Sequence, residues 1–134
     1  MKDNRLAFDA GALSLYYAGD KIARQYFDDV SSRFKIGFIS EVNLAEFYYK
    51  AAEKFGLDTS ETWYMLTRRS QINIVPPNEM ITREAAKLKL MYRNRLSLAD
   101  CFAVSTAKNN DCTLITTDSR IKESKEVKTI YLEI

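Results

Sequence analysis

The sequence predicts an α/β fold, a three-layer α/β/α sandwich around a mostly parallel sheet of four to five strands. Short apolar runs of strand length alternate with longer segments of helical periodicity, which is typical of parallel sheets. The strand runs are apolar throughout, which indicates a sheet covered on both faces. Only 4 glycines and 2 prolines interrupt the 134 residues, so most of the chain is expected to be regular structure. We expect a single domain over 1–134.

The first quarter of the chain predicts two strands separated by helical segments. Residues 5–9 form an apolar run and are predicted to be the first strand. Gly11 and Gly19 bracket a turn and a helical segment, and residues 21–32 are amphipathic at helical spacing. Residues 35–39 are predicted to be the second strand.

Two helices are predicted next, each with its own start signal. Ser40 is a suitable N-cap for a helix that Gly56 stops in the C′ position. Asp58 and Glu61 form a capping-box pattern for a second helix that runs to about Arg69.

The remaining elements continue the same alternation. Pro76 and Pro77 end a predicted third strand, and the polar pair Asn109 and Asn110 ends the last predicted helix. The predicted elements are a strand at 72–75, a helix at 80–92, a helix from Ser97 to Lys108, and strands at 112–116 and 127–132.

Composition excludes several classes of protein and of site. The formal net charge is +2, so the chain as a whole is not a polycation built to coat nucleic acid. Without histidine or a CxxC pair, a zinc site is excluded, and Cys101 and Cys112 are favoured as free, buried thiols over a disulfide. No stretch approaches the roughly 20 apolar residues of a membrane span. No signal-peptide core is visible either, so a cytoplasmic protein is expected.

Four acidic residues lie in or directly after apolar segments: Asp9, Glu46, Asp100 and Asp118. Carboxylates placed against apolar surface are costly unless a proton, a base or a metal compensates them. Asp9 and Asp118 follow predicted strands, whose carboxyl ends share one edge of a parallel sheet. If the fourth strand lies beside the first, opposite the second, the four carboxylates meet at one crevice. Oxygen ligands of this kind select Mg²⁺ or Mn²⁺.

Each carboxylate also has a local structural explanation. Asp9 could cap the following helix, and Asp118 could form an Asx turn. Asp100 could form a capping box with Ser97. Glu46 could form an ion pair with Lys50 on a solvated helix face that also carries Asn43 and Glu53.

Four segments in order resemble the PIN domain family, and most closely its VapC-type toxins. The segments are Phe8-Asp9-Ala10-Gly11-Ala12-Leu13, residues 40–46, Leu96-Ser97-Leu98-Ala99-Asp100 with Ala103 and Ala107, and Leu114-Ile115-Thr116-Thr117-Asp118. The resemblance implies a Mg²⁺- or Mn²⁺-dependent endoribonuclease that forms a homodimer and is neutralised by a small antitoxin at its active site. It also implies that the carboxylates Asp9, Glu46, Asp100 and Asp118 are catalytic and bind metal, with Thr116 as a supporting hydroxyl.

The chain departs from the family pattern at three positions. Ala10 and Gly11 stand where the family often has Thr or Ser followed by a small polar residue, which weakens the support expected around Asp9. Arg120 stands where the family frequently has another Asp, which is expected to reduce metal occupancy or to leave one tightly held ion. These departures motivate an alternative, a catalytically weakened PIN-fold module that binds or regulates. A phosphatase of the haloacid-dehalogenase type is disfavoured, because it would need a second Asp in place of Gly11.

Six aromatic residues have two possible roles, as core packing or as part of a dimer or antitoxin surface: Tyr48, Tyr49, Phe55, Trp63, Tyr64 and Tyr92. The RNA target is not encoded in any motif of the sequence.

Overall fold

Residues 4–134, which the computed structural model describes, form five strands and seven helices. In chain order these are β1 (Arg5–Phe8), α1 (Ala10–Tyr17), α2 (Lys21–Ser31), β2 (Ile36–Ser40), α3 (Glu41–Phe55), α4 (Leu57–Arg68), β3 (Asn73–Val75), α5 (Glu79–Met91), α6 (Leu98–Asn109), β4 (Thr113–Thr116), α7 (Ser119–Ser124) and β5 (Thr129–Tyr131).

The strands form one parallel sheet in the order β3-β2-β1-β4-β5. The predicted fold class is therefore confirmed, and β4 lies beside β1 on the side opposite β2. Strand order reverses at the junction of β1 and β4, where open α/β sheets form their ligand crevice. In this register Phe8 pairs with Ile115, so the residues that follow the two strands are neighbours.

Side chains alternate between the two faces of the sheet, as the two-residue period of a strand requires. On one face Leu6 and Phe8 pack with the buried residues of α1, α2 and α3. On the other face Ala7 and Leu114 pack with α5, α6 and α7. The sheet is thus covered on both sides, and its carboxyl edge remains open to carry a site.

Most of the predicted helix starts are confirmed. The Ser40 side chain accepts from the backbone N–H of Val42, and Ser97 with Asp100 forms a complete capping box. For α4 the predicted helix and its end near Arg69 are confirmed, but the predicted capping box was wrong. This helix begins at Leu57, directly after Gly56, and no side chain among the described residues caps it. Gly56 has φ +93°, a conformation that glycine tolerates, so the chain turns directly from α3 into α4. Asp58 therefore lies inside the helix and cannot be the N-cap of a capping box with Glu61.

The short helix α7 was not predicted, because six residues are too few to show a helical period. The cysteines Cys101 and Cys112 are free and buried, as expected. Among the helices described, none combines the length and apolar character needed to cross a bilayer.

Candidate active site

The adjacent ends of β1 and β4 hold Asp9 and Thr116 together. Asp9 is the N-cap of α1, and its Oδ1 accepts from the backbone N–H of Ala12 at 2.8 Å. Its Oδ2 accepts from the Thr116 hydroxyl at 2.5 Å. Asp9 is only 6% exposed and Thr116 is fully buried. The helix-capping explanation for Asp9 is therefore correct, and the capped carboxyl group still lies at the crevice.

Asp118 is tied to the same hydroxyl and to an arginine. The Asp118 backbone N–H donates to Thr116 Oγ1 at 3.0 Å, so Thr116 links the segments that carry the two aspartates. The Asp118 carboxylate accepts from Arg120 through the backbone N–H at 2.9 Å, Nε at 3.2 Å and Nη2 at 3.1 Å. Asp118 thus caps α7 and is held in an ion pair by a single residue.

Asp100 lies in the first turn of α6. Its Oδ2 accepts from the Ser97 backbone N–H at 3.0 Å, and the Ser97 hydroxyl accepts from the Asp100 N–H at 3.0 Å. This capping box starts α6 at the crevice, next to the ends of the strands.

Glu46 lies in the middle of α3 and forms the expected ion pair with Lys50, with 3.3 Å between Oε2 and Nζ. The prediction of a solvated face was wrong at Asn43, which is 1% exposed. Asn43 Nδ2 donates to the Ala99 carbonyl at 3.0 Å and so joins α3 to the first turn of α6. Its Oδ1 is one of two buried side-chain oxygens in residues 4–134 that have no hydrogen-bond partner.

The four carboxyl groups influence one another electrostatically. Burial raises the pKa of Asp9 to about 6; hydrogen bonds from Thr116 and Ala12 oppose that rise, and the charges of Asp100 and Glu46 add to it. Burial also raises the pKa of Asp100, and the neighbouring charges of Asp118 and Glu46 raise it further.

Asp118 shifts the other way. Burial raises the pKa of Asp118, but the bonds and charge of Arg120 outweigh it and the net shift is downward. A side-chain interaction with the neighbouring Asp100 also lowers the pKa of Asp118. Within the cluster the pKa is thus raised at Asp9 and Asp100, which form no ion pair among the described residues, and lowered at Asp118, which Arg120 binds.

As oriented, the carboxylates do not enclose a metal ion. Over the described part of the chain, no group of three or more acidic or cysteine side chains is arranged to hold one. The reason is that each carboxylate is turned toward a protein partner. The chemistry of the donors nevertheless fits Mg²⁺ or Mn²⁺, because every donor is an oxygen and the unpartnered Asn43 Oδ1 lies beside the first turn of α6.

The departure at Gly11 has a packing cause. A Cβ atom at Gly11 would lie 2.0 Å from Thr117 Oγ1 and 3.2 Å from Thr117 Cβ. Glycine therefore lets α1 approach the turn after β4, between Thr116 and Asp118. This contact was not predicted from the sequence, because no local pattern around Gly11 or Thr117 indicates that the two residues pack together.

A small cavity of about 220 Å³ borders the site on the α1–α3 side. Gly11, Lys50 and Lys54 line it together with the apolar side chains of Leu15 and Trp63. Of the two lysines in its lining, Lys50 is paired with Glu46, so Lys54 is the one that adds positive charge to a mostly apolar cavity.

The six aromatic residues divide between the two predicted roles. Trp63 stacks on Tyr17 with 5.2 Å between ring centroids, and Tyr64 and Tyr92 are also partly buried against the core. Tyr48 is half-buried against Tyr64. Tyr49 and Phe55 are 52% and 49% exposed and are the two that remain candidates for a surface role.

Comparison with protein-family models matches residues 7–127 to the model described as the PIN domain. Comparison with curated proteins gave no match.

Solved structures with the same fold include toxin–antitoxin complexes. A toxin–antitoxin complex from Klebsiella pneumoniae is 19% identical, with a TM-score of 0.71, over 96% of this chain and 99% of that chain. VapBC2 from Rickettsia felis, bound to a promoter DNA fragment, is 12% identical with a TM-score of 0.77, over 95% and 98%. VapC20 from Mycobacterium tuberculosis, a sarcin-ricin loop cleaving toxin, is 12% identical with a TM-score of 0.72, over 96% and 98%. At these identities the likeness concerns the fold.

Proposed function

The chain belongs to the PIN domain family, and we propose that it is a metal-dependent endoribonuclease, the toxin of a VapBC-type toxin–antitoxin pair. The observation that carries the proposal is the convergence of four carboxyl groups from β1, α3, α6 and the end of β4 at the point where strand order reverses. Raised pKa values at Asp9 and Asp100 mark a place that lacks positive charge.

We assign Asp9, Asp100 and Asp118 as the residues that hold Mg²⁺ or Mn²⁺, with Glu46 beside them to orient the attacking water or to hold a second ion. When bound, such an ion supplies an activated water and offsets the charge that grows on the phosphoryl oxygens.

The remaining residues prepare the site. Thr116 fixes the Asp9 carboxyl by donating to it, and fixes the turn of Asp118 by accepting from its N–H. Because water rather than the ribose 2′-hydroxyl attacks, the products carry a 5′-phosphate and a 3′-hydroxyl. The absence of histidine agrees with this route, since a metal-free 2′-hydroxyl mechanism usually needs a general acid–base pair.

RNA is the proposed substrate, and the cavity beside the site is the proposed place for its backbone. Lys54 lines this cavity, where we expect it to meet a phosphate group, whereas Lys50 is bound to Glu46.

A small antitoxin and a second copy of the chain are the proposed protein partners. The exposed aromatic side chains Tyr49 and Phe55 are the ones available for such contacts. Sedimentation of the purified chain at micromolar concentration tests the homodimer directly, and a monomer would contradict it.

Replacement of Asp100 by Asn tests the proposed function. Asparagine keeps the shape and an acceptor oxygen for the capping box but loses the negative charge. We expect RNA cleavage in Mg²⁺ or Mn²⁺ to fall by about 100-fold or more, since metal-ion catalysis supplies several kcal/mol. The assay uses total RNA, with the chemistry of the new ends mapped.

The matched control is Asp58→Asn, the same change at an exposed position of α4, and it should cleave like wild type. Circular dichroism checks that both variants fold. The proposal is wrong if Asp100→Asn cleaves as fast as wild type, if cleavage persists in excess EDTA, or if the new ends carry 2′,3′-cyclic phosphates.

A further inference from the structure

We propose that Lys50 and Arg120 are built-in counter-cations of the carboxylate cluster and limit it to one divalent ion. The inference rests on the proposed function, because it takes the four carboxylates as the metal-binding set. The family frequently has another Asp at position 120, which would add negative charge to the cluster. In this chain Arg120 adds positive charge instead.

Arg120 occupies the Asp118 carboxylate with three N–H groups. Nε and the backbone N–H bind Oδ1 at 3.2 and 2.9 Å, and Nη2 binds Oδ2 at 3.1 Å. Both carboxylate oxygens are therefore engaged by one residue, and the backbone contact orients the carboxylate that the guanidinium meets. Any cation that takes Asp118 has to compete with this arginine.

Lys50 plays the same part at the other end of the cluster. Its Nζ lies 3.3 Å from Glu46 Oε2, one helical turn away on α3. The Glu46 side chain is 18% exposed whereas that of Lys50 is 56% exposed, so the lysine shields the carboxylate from outside. The charge of Asp100 acts on both Lys50 and Arg120, so both cations lie close enough to interact with the same acidic centre.

Asp9 and Asp100 differ from the other two carboxylates. Over residues 4–134 neither forms an ion pair with a lysine or an arginine, and their partners are hydroxyl and backbone groups. When all four carboxylates are ionised, Lys50 and Arg120 offset two of the charges. The charge that remains matches that of a single divalent cation. A second ion would add excess positive charge and would have to displace Arg120 or Lys50.

Calorimetric titration of the metal-free protein with Mn²⁺ tests the inference. We expect wild type to bind one Mn²⁺ per chain. Arg120→Ala removes the competitor and should tighten the Mn²⁺ dissociation constant by about three- to fivefold, the upper part of the range expected for a partly exposed ion pair. Arg120→Asp should raise the stoichiometry from one to two.

Arg83→Ala is the matched control. It removes the same charge from an Arg–Glu ion pair on α5, a helix that contributes none of the four carboxylates. Its dissociation constant should stay within about twofold of wild type, because exposed distant charges are screened by salt. Circular dichroism shows whether each variant is folded, and Arg120→Ala decides the question if Arg120→Asp does not fold.

The inference is overturned if wild type binds two Mn²⁺ ions or none, or if Arg120→Ala changes the dissociation constant no more than Arg83→Ala does. RNA cleavage by wild type, measured in parallel, separates this result from the proposed function. Cleavage with two bound ions overturns only the inference. One bound ion with the Arg120 effect supports it, even if no RNA is cleaved and the nuclease assignment falls.

Discussion

The carboxyl group of Asp9 is held in its buried position at a cost to stability. It is 6% exposed, and burial raises its pKa to about 6 in spite of two hydrogen bonds. The bonds from Ala12 and Thr116 fix its direction but do not replace the water that its charge has lost. The ionised form of Asp9 is therefore destabilised, so binding of a proton or a cation there is favourable. A buried carboxylate of this kind suits a metal ligand.

This burial predicts a pH dependence of stability. The folded-state pKa of Asp9 lies above its ordinary value of 3.8, so between these values the folded protein binds more protons than the unfolded chain. The Asp9 contribution to the free energy of unfolding should therefore decrease as pH rises from about 4 to about 6, by about 2–3 kcal/mol.

Asp9→Asn should remove that decrease. Asparagine can still cap α1 and still bond Thr116, so we expect the variant to be more stable than wild type by about 1–3 kcal/mol at pH 7 without metal. Urea denaturation in EDTA at pH 4.5, 5.5 and 7 measures the difference. A difference that does not change with pH would show that Asp9 does not titrate as argued.

At the scale of the elements, the contact between α1 and the turn after β4 sets the width of the site. Gly11 lies against Thr117, and these residues belong to the two segments that carry Asp9 and Asp118. The lack of a side chain at Gly11 is what allows this approach. The position is therefore occupied by glycine for reasons of packing, and the polar residue common in the family would not fit with Thr117 as it lies.

Gly11→Ala tests this packing. Intrinsic helix propensity favours alanine over glycine by up to about 1 kcal/mol, so propensity alone predicts a more stable protein. We expect the opposite, a loss of about 1–2 kcal/mol, because the new Cβ would meet Thr117 Oγ1 at 2.0 Å. Denaturation midpoints of the two proteins give the sign.

The double variant Gly11→Ala with Thr117→Ala provides the control. Removing the Thr117 hydroxyl and methyl clears the place of the new Cβ, so most of the loss should be recovered, while Thr117→Ala alone stays close to wild type. No recovery in the double variant would locate the cost elsewhere.

At the scale of the whole molecule, the parallel sheet brings together residues that are far apart in sequence. Asp9 and Thr116 are separated by 107 positions and are joined by one hydrogen bond. The same fold occurs in toxin–antitoxin proteins at 12–19% identity, so this arrangement of strand ends does not depend on a close match in sequence. In this chain, the four carboxyl groups proposed to bind metal come from segments at the beginning, middle and end of the sequence.

Metal binding should therefore stabilise the whole domain. At a Mn²⁺ concentration about 100 times the dissociation constant, the free energy of unfolding should rise by about 2.7 kcal/mol. We expect a matching rise in melting temperature of several degrees for wild type and little or none for Asp100→Asn. Differential scanning calorimetry with and without Mn²⁺ measures both. No rise in wild type would favour the alternative, a PIN-fold module that has lost its metal and its catalysis.

The sequence alone determined the alternation of strands and helices, the parallel sheet and most of the helix caps. These depend on local periodicity and on side chains three residues apart, such as Ser97 and Asp100. The four carboxylates could also be singled out, because acids that border apolar runs are unusual. Their assignment as the site remains a proposal that the experiments above test.

Only the tertiary structure decided which distant residues meet at the site. The hydrogen bond of Thr116 to Asp9, the approach of Gly11 to Thr117 and the burial of Asn43 depend on the packing of separate elements. Even α4 began earlier than its capping pattern indicated, because Gly56 allowed a turn directly out of α3. Local patterns specify which elements form, whereas distances between side chains on different elements follow from how those elements pack.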